Sequence, residues 1–160
     1  MKSTKRAEQA PGDDLARIEL ETVVLVRHFE MLRRRSDIYA ELERSEYLLL
    51  RTLEAAGPLD IAGLAARLGL DPSTSGRQVN AMVARDLVRR TPDPADRRRG
   101  IVEPTERGCA LMQEVRRRRL VETDALLADW EPAERAALAG VLARYNRAVA
   151  GRYLTGDDEP

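Results

Sequence analysis

The chain has 160 residues, about one domain's worth. Its 27 basic and 27 acidic side chains leave no formal net charge, which excludes nucleic-acid attraction by overall charge and leaves only an uneven distribution to supply it. Charged residues make up 34% and aromatics 4%, a balance that favours long amphipathic helices over a dense β core.

Residues 1–12 are polar, contain Pro11 and Gly12, and are expected to be a disordered tail. They lack the apolar core of a signal peptide. No run approaches the roughly 18 apolar residues that span a bilayer, so no membrane partner is expected. The first helix follows, with Asp13 or Asp14 as its cap. Leu15, Ile18, Thr22, Leu25, Val26, Phe29 and Leu32 fall on one face of it, and Val23 and Val24 widen the stripe beyond what a lone surface helix requires. That excess width points to a partner. Residues 36–44 read as a break. Ser45 then caps a short helix that turns Leu49, Leu50 and Leu53 inward and stops at Gly57-Pro58.

Ile61, Leu64, Ala65 and Leu68 recur at helical spacing, and Gly69 closes that turn with Leu70 tucking back against it. The next helix starts at once, because Asp71 caps the free N–H groups and Pro72 sits where its missing donor costs nothing. Val79, Met82, Val83 and Leu87 form its buried stripe. Its other face carries Ser73, Ser75, Arg77, Gln78 and Asn80, short or medium side chains able to donate hydrogen bonds. A dry back and a donor-rich front near the N-terminus suit the major groove, where base edges offer distinct acceptor patterns. Two strands follow. Thr91, Pro92, Asp93 and Pro94 read as turn and loop, Ile101 and Val102 restart an extended run, and Thr105 caps the next helix. Between the strands lie Asp96, Arg97, Arg98 and Arg99, too charged to bury and suited to phosphates or a narrow minor groove, with Asp96 expected to pair with Arg98. A long helix runs from Glu106 to about Asp129. Trp130 precedes the start of a last helix that reaches about Tyr153, and residues 155–160 form an acidic tail. The overall expectation is a mainly α fold with a small β wing: a winged helix-turn-helix flanked by N- and C-terminal helices.

The stretches LAARLGLDPST, RQV, LVRR, the D-x-R pattern at Asp96 and Arg98, and TERG at 105–108 occur in the order and spacing of a known family. With the flanking helices, residues 13–154 resemble a MarR-type transcriptional regulator as one domain. The resemblance implies a DNA-binding unit at about 45–108 and dimerisation helices at 13–35 and 106–154. It further implies a homodimer that binds double-stranded operator DNA, acts as a repressor and is released by a small, aromatic ligand. DNA contacts are then expected from Ser73, Thr74, Ser75, Arg77, Gln78, Asp96, Arg97, Arg98 and Arg99. His28, Met31 and Tyr47 would line the ligand crevice, although a lone histidine on a helix is also read as an ordinary packing or surface residue. Four positions depart from the family pattern: Ser75 and Gly76 in the second helix of the motif, Asp86 where the family usually has glycine, and Pro104 in place of an aliphatic residue. Pro104 is expected to make the second wing strand short or to put it at a sheet edge.

One histidine and one cysteine far apart give no nucleophile and base pair, no zinc cluster, and no glycine-rich phosphate loop accompanies them. No enzyme, cofactor or metal is therefore expected. Cys109 is the sole cysteine, which excludes an internal disulfide and makes a cytoplasmic location the expectation. Two alternatives stay open: a winged-helix module whose basic tip meets an acidic protein, and a thiol-based redox-sensing regulator acting through Cys109.

Overall fold

The computed structural model describes residues 12–93 and 99–154. The chain divides into two units, Met1–Ile38 and Tyr39–Pro160. The first contains helix α1 (Asp13–Arg35), which begins at Gly12 without a side-chain cap; Asp13 and Asp14 belong to its first turn and Arg33, Arg34 and Arg35 to its last. The two aspartates therefore act on the helix dipole rather than as caps. No residue of α1 is buried, and most of the stripe read from the sequence stands exposed, with Leu15 at 72% and Val26 at 60%, while Thr22, Val24 and Leu32 are half-buried. No described helix is long and apolar enough to cross a membrane.

The expected break opens with a 3-10 turn at Asp37–Tyr39. The second unit then runs through α2 (Arg44–Ala56), β1 (Leu59–Asp60), α3 (Ile61–Leu68), α4 (Pro72–Ala84), β2 (Val88–Pro92), β3 (Gly100–Pro104), α5 (Glu106–Leu126) and α6 (Pro132–Tyr153). Helix α2 is not capped by Ser45. Glu43 and Glu46 form a reciprocal capping box instead, in which each side chain satisfies a backbone donor left open by the first turn. Glu131 and Glu134 repeat the device at α6. The core is built where α2 to α5 meet the sheet: Leu49, Leu50, Leu53, Leu64, Val79, Met82, Leu87, Val102 and Met112 are all buried, each side chain contributing about 1.5–3 kcal/mol of transfer free energy. Val83, expected in that stripe, is 40% exposed. It lies one residue, or about 100° of helical turn, beyond buried Met82.

Three strands form one antiparallel sheet in the order β1-β3-β2. Strand β1 was not expected, and the first wing strand runs further than expected, since Thr91 and Pro92, expected in turn and loop, are paired with Ile101 and Gly100. Strand β3 is central and not at an edge. It tolerates Pro104 because that residue closes the strand, opposite Val88.

The junction between α4 and β2 joins these elements. Leu87 N–H returns to Met82 O at 2.9 Å, ending the helix, and Asp86 adopts φ 57°. A left-handed aspartate is tolerated at a cost that glycine would not incur. Leu87 O then accepts Thr105 N–H, Asp86 O accepts the Thr105 hydroxyl at 2.6 Å, and Thr105 Oγ1 accepts Gly108 N–H as the cap of α5. A Cβ at Gly108 would overlap the Leu87 carbonyl oxygen and approach its carbon to 2.9 Å. Only glycine admits the first turn of α5 this close to that backbone. The TERG stretch is thus a cap followed by a contact surface.

Two urea titrations check this junction. Gly108→Ala should destabilise the protein by at least about 1–3 kcal/mol, because the carbonyl it would strike belongs to backbone and cannot swing aside. Asp86→Gly should stabilise it by about 0.5–1 kcal/mol by relieving the left-handed strain.

Candidate nucleic-acid interface

Helices α3 and α4 are delimited by the groups the sequence supplies. Asp60 caps α3 through Oδ1, which accepts Gly63 N–H at 2.8 Å. Gly69 ends it in the left-handed region at φ 65°, with Leu70 N–H returning to Ala65 O, a geometry glycine adopts without a Cβ penalty. Asp71 caps α4, its Oδ1 accepting both Thr74 N–H at 2.8 Å and the Ser73 hydroxyl at 2.5 Å. The Ser73 hydroxyl, followed by Thr74, holds the Asp71 carboxyl far below the usual carboxylate range.

The first turns of α4 expose Ser73, Arg77 and Asn80, with Thr74 and Gln78 half-buried beside them. Arg77 Nη2 donates to Thr74 Oγ1 at 2.9 Å, so the guanidinium lies back along the helix N-terminus. Ser75 does not belong to this face. It is fully buried and its hydroxyl has no partner among the described residues, because Ser75, Val79 and Met82 stand at i, i+4 and i+7 on the inward stripe. Gly76 is not forced by crowding, since a Cβ there would meet only Ile61 at 3.9 Å.

On the wing, Asp96, Arg97 and Arg98 lie outside the described residues, as does their expected pairing. Arg99 is described. Its carbonyl accepts Asp93 N–H at 2.9 Å, and its guanidinium donates to Asp60 Oδ2, 3.0 Å from Nε. That pair, ahead of the Gly63 N–H, pulls the Asp60 carboxyl below its ordinary range. Arg89 pairs with Glu103 at 2.8 Å across β2 and β3. Spacing along one strand could not reveal either pair.

Two further groupings escaped the sequence reading. Arg85, at the end of α4, donates to Glu46 at 2.5 Å and to Glu41 O at 2.6 Å, tying the C-terminus of that helix to the start of α2 through a buried carboxylate. Tyr39 and Tyr47 meet edge to face with ring centres 6.3 Å apart. Arg119 lies over both rings, 5.9 and 5.6 Å from their centres, and donates to the Tyr39 hydroxyl. Tyr47 is thus half-buried in a cationic aromatic cluster, whereas His28 and Met31 are exposed on α1. Neighbouring Arg117 and Arg118 are held by Glu114, whose carboxyl they lower to about 2. Cys109 is exposed in the first turn of α5.

Residues 42–99 match the family model of the MarR family. The HTH-type transcriptional regulator YxaD of Bacillus subtilis is 34% identical to this chain over 131 residues, which cover 82% of this chain and 92% of that protein. The HTH-type transcriptional repressor NicR of Pseudomonas putida is 39% identical over 72 residues, 45% of this chain and 46% of its own length. Among solved structures, the PcaV transcriptional regulator from Streptomyces coelicolor, in complex with its natural ligand, superposes with a TM-score of 0.59 at 25% identity, over 78% of this chain and 91% of that one.

The buried position of Ser75 separates packing from recognition. Ser75→Ala should raise stability by about 1 kcal/mol in a urea titration, because an unpaired buried hydroxyl is removed, and should leave duplex affinity as it was.

Proposed function

The chain belongs to the MarR family of helix-turn-helix transcriptional regulators, and from that premise we propose that it is a homodimeric cytoplasmic repressor that binds a pseudo-palindromic operator and is released by a small anionic aromatic ligand. The observation that carries the DNA-binding part is the capped N-terminus of α4, which exposes Ser73, Arg77 and Asn80 beside Thr74 and Gln78 while Ser75, Val79 and Met82 anchor its back. Such a helix enters a major groove with its first turns at the base edges, and the wing arginines Arg97 and Arg98 then meet the adjacent backbone.

Dimerisation is supported by apolar surface. Leu15, Ile18, Val23 and Val26 on α1, and Val141, Leu142, Tyr145 and Val149 on α6, are all at least 40% exposed, and neither helix has a buried residue. Exposed stripes of this length are costly in water and are covered by a second copy. Two-fold symmetry sets the recognition helices about 34 Å apart, one turn of the duplex. Without the second half-site each copy grips too weakly to select a promoter.

The ligand part rests on Tyr39, Tyr47 and Arg119. Two phenol faces and a guanidinium suit a flat ring bearing a carboxylate, and NicR and PcaV are, by name, a repressor and a ligand-bound regulator. A ligand that binds one spacing of the recognition helices better than another shifts the population toward the state with low operator affinity.

Selection of bound fragments from genomic DNA, followed by titration of the recovered duplex, tests the reading. Arg77→Ala should weaken binding by about tenfold or more. Arg98→Ala should weaken it on all sequences and reduce the slope of log affinity against log salt by about 1. Failure to retain any duplex at moderate salt, with a stable acidic protein complex recovered instead, would replace this reading with that of an interaction module.

A further inference from the structure

Arg99, the one arginine of the basic tip among the described residues, already holds a carboxylate. In the β1-β3 register Asp60 stands opposite Ile101, so Arg99, two residues earlier on the same side of the strand line, is its diagonal neighbour, within reach of a long side chain. Its Nε and Nη2 both donate to Asp60 Oδ2. The other oxygen of the same carboxylate caps α3 through Gly63 N–H. The Asp60 side chain is only 17% exposed against 57% for Arg99, so the carboxylate is the fixed partner. Meanwhile the Arg99 carbonyl accepts Asp93 N–H and closes the hairpin below its tip. One residue therefore joins both wing strands through its backbone and the helix-turn-helix through its side chain.

We propose that Asp60 and Arg99 are positioning residues for DNA binding: their ion pair fixes the wing against the start of α3, and Arg99 is not itself a phosphate contact. This rests on the DNA-binding reading above and deepens it. A guanidinium already neutralised by a carboxylate displaces no counterion from the duplex, whereas a free tip arginine displaces about one. The pair's contribution is geometric. It lowers the number of orientations the wing samples before docking, and that preorganisation appears as affinity.

The test is a double-mutant cycle on operator affinity in the full-length protein, with Asp60→Asn, Arg99→Gln and the combined variant. Asparagine still caps a helix, so Asp60→Asn should melt close to the wild type while losing the charged partner of Arg99. Each single variant is expected to bind about tenfold more weakly, and the double variant no more weakly than either one, because the second change removes nothing that the first has left in place. The salt slope of Arg99→Gln should equal that of the wild type. A slope reduced by about 1 in Arg99→Gln, with Asp60→Asn binding normally, would overturn the proposal and make Arg99 a phosphate contact. Losses that multiply in the double variant would overturn it as well. Should Asp60→Asn fail to fold, the slope of Arg99→Gln alone decides. Wild-type protein without affinity for any duplex would remove the DNA-binding reading and this proposal together, whereas the other contrary results remove only the pair.

Discussion

The close approach of α5 to the Leu87 carbonyl governs how this fold can be built. Four hydrogen bonds gather around it: Leu87 N–H donates to Met82 O and closes α4, Thr105 N–H donates to Leu87 O, the Thr105 hydroxyl donates to Asp86 O, and Gly108 N–H donates to Thr105 Oγ1 as the cap of α5. The missing Cβ of Gly108 leaves room for the contact. Helix α4, the two wing strands and the long helix α5 thereby share one point. A shift of α5 would act on α4 directly at that point, the property the proposed dimeric regulator needs if events on its terminal helices are to reach the groove. Arg85 adds a second tie from the same end of α4 to Glu46 and Glu41, next in sequence to the Tyr47 cluster.

Electrostatics in this chain are local. The net charge is zero, and many arginines are spent on carboxylates: Arg89 on Glu103, Arg99 on Asp60, Arg117 and Arg118 on Glu114. Such exposed pairs contribute little stability each. Their consequence is selective. They neutralise those arginines and leave attraction for the proposed duplex to other side chains, which favours orientation and register over bulk attraction. Asp71, ionised and occupied by Ser73 and Thr74, likewise fixes the first turn of α4 before any base is met.

The sequence was most legible where a local signal had a local cause. Gly69, Asp71 and Pro72 delimit α3 and α4 as read, and the wing follows in the expected order. The inward Ser75 was legible too, since its spacing to Val79 and Met82 is helical; its polarity misled, as hydroxyls are expected outside. Glu43 and Glu46 were passed over for the adjacent Ser45, although their spacing carries the capping box. Strand β1 could not be found from two residues, because Leu59 and Asp60 become a strand only through Ile101 and Val102 some forty positions on. The pairing of Arg99 with Asp60 across 39 positions was hidden for the same reason. At Asp86 the sequence showed only a departure from the family's glycine, and the structure supplies the reason for that glycine: φ is 57°.

The proposed regulator meets duplex DNA in duplicate, with α4 and the wing of two copies related by a two-fold axis. Hydroxyl-radical footprinting of the selected operator, combined with the mass of the complex in solution, puts this arrangement to the test. Two copies on one duplex are expected, with two symmetric protected tracts whose centres are about one helical turn, roughly 34 Å, apart. A single copy protecting one tract, or two copies whose protections bear no symmetric relation, would contradict it.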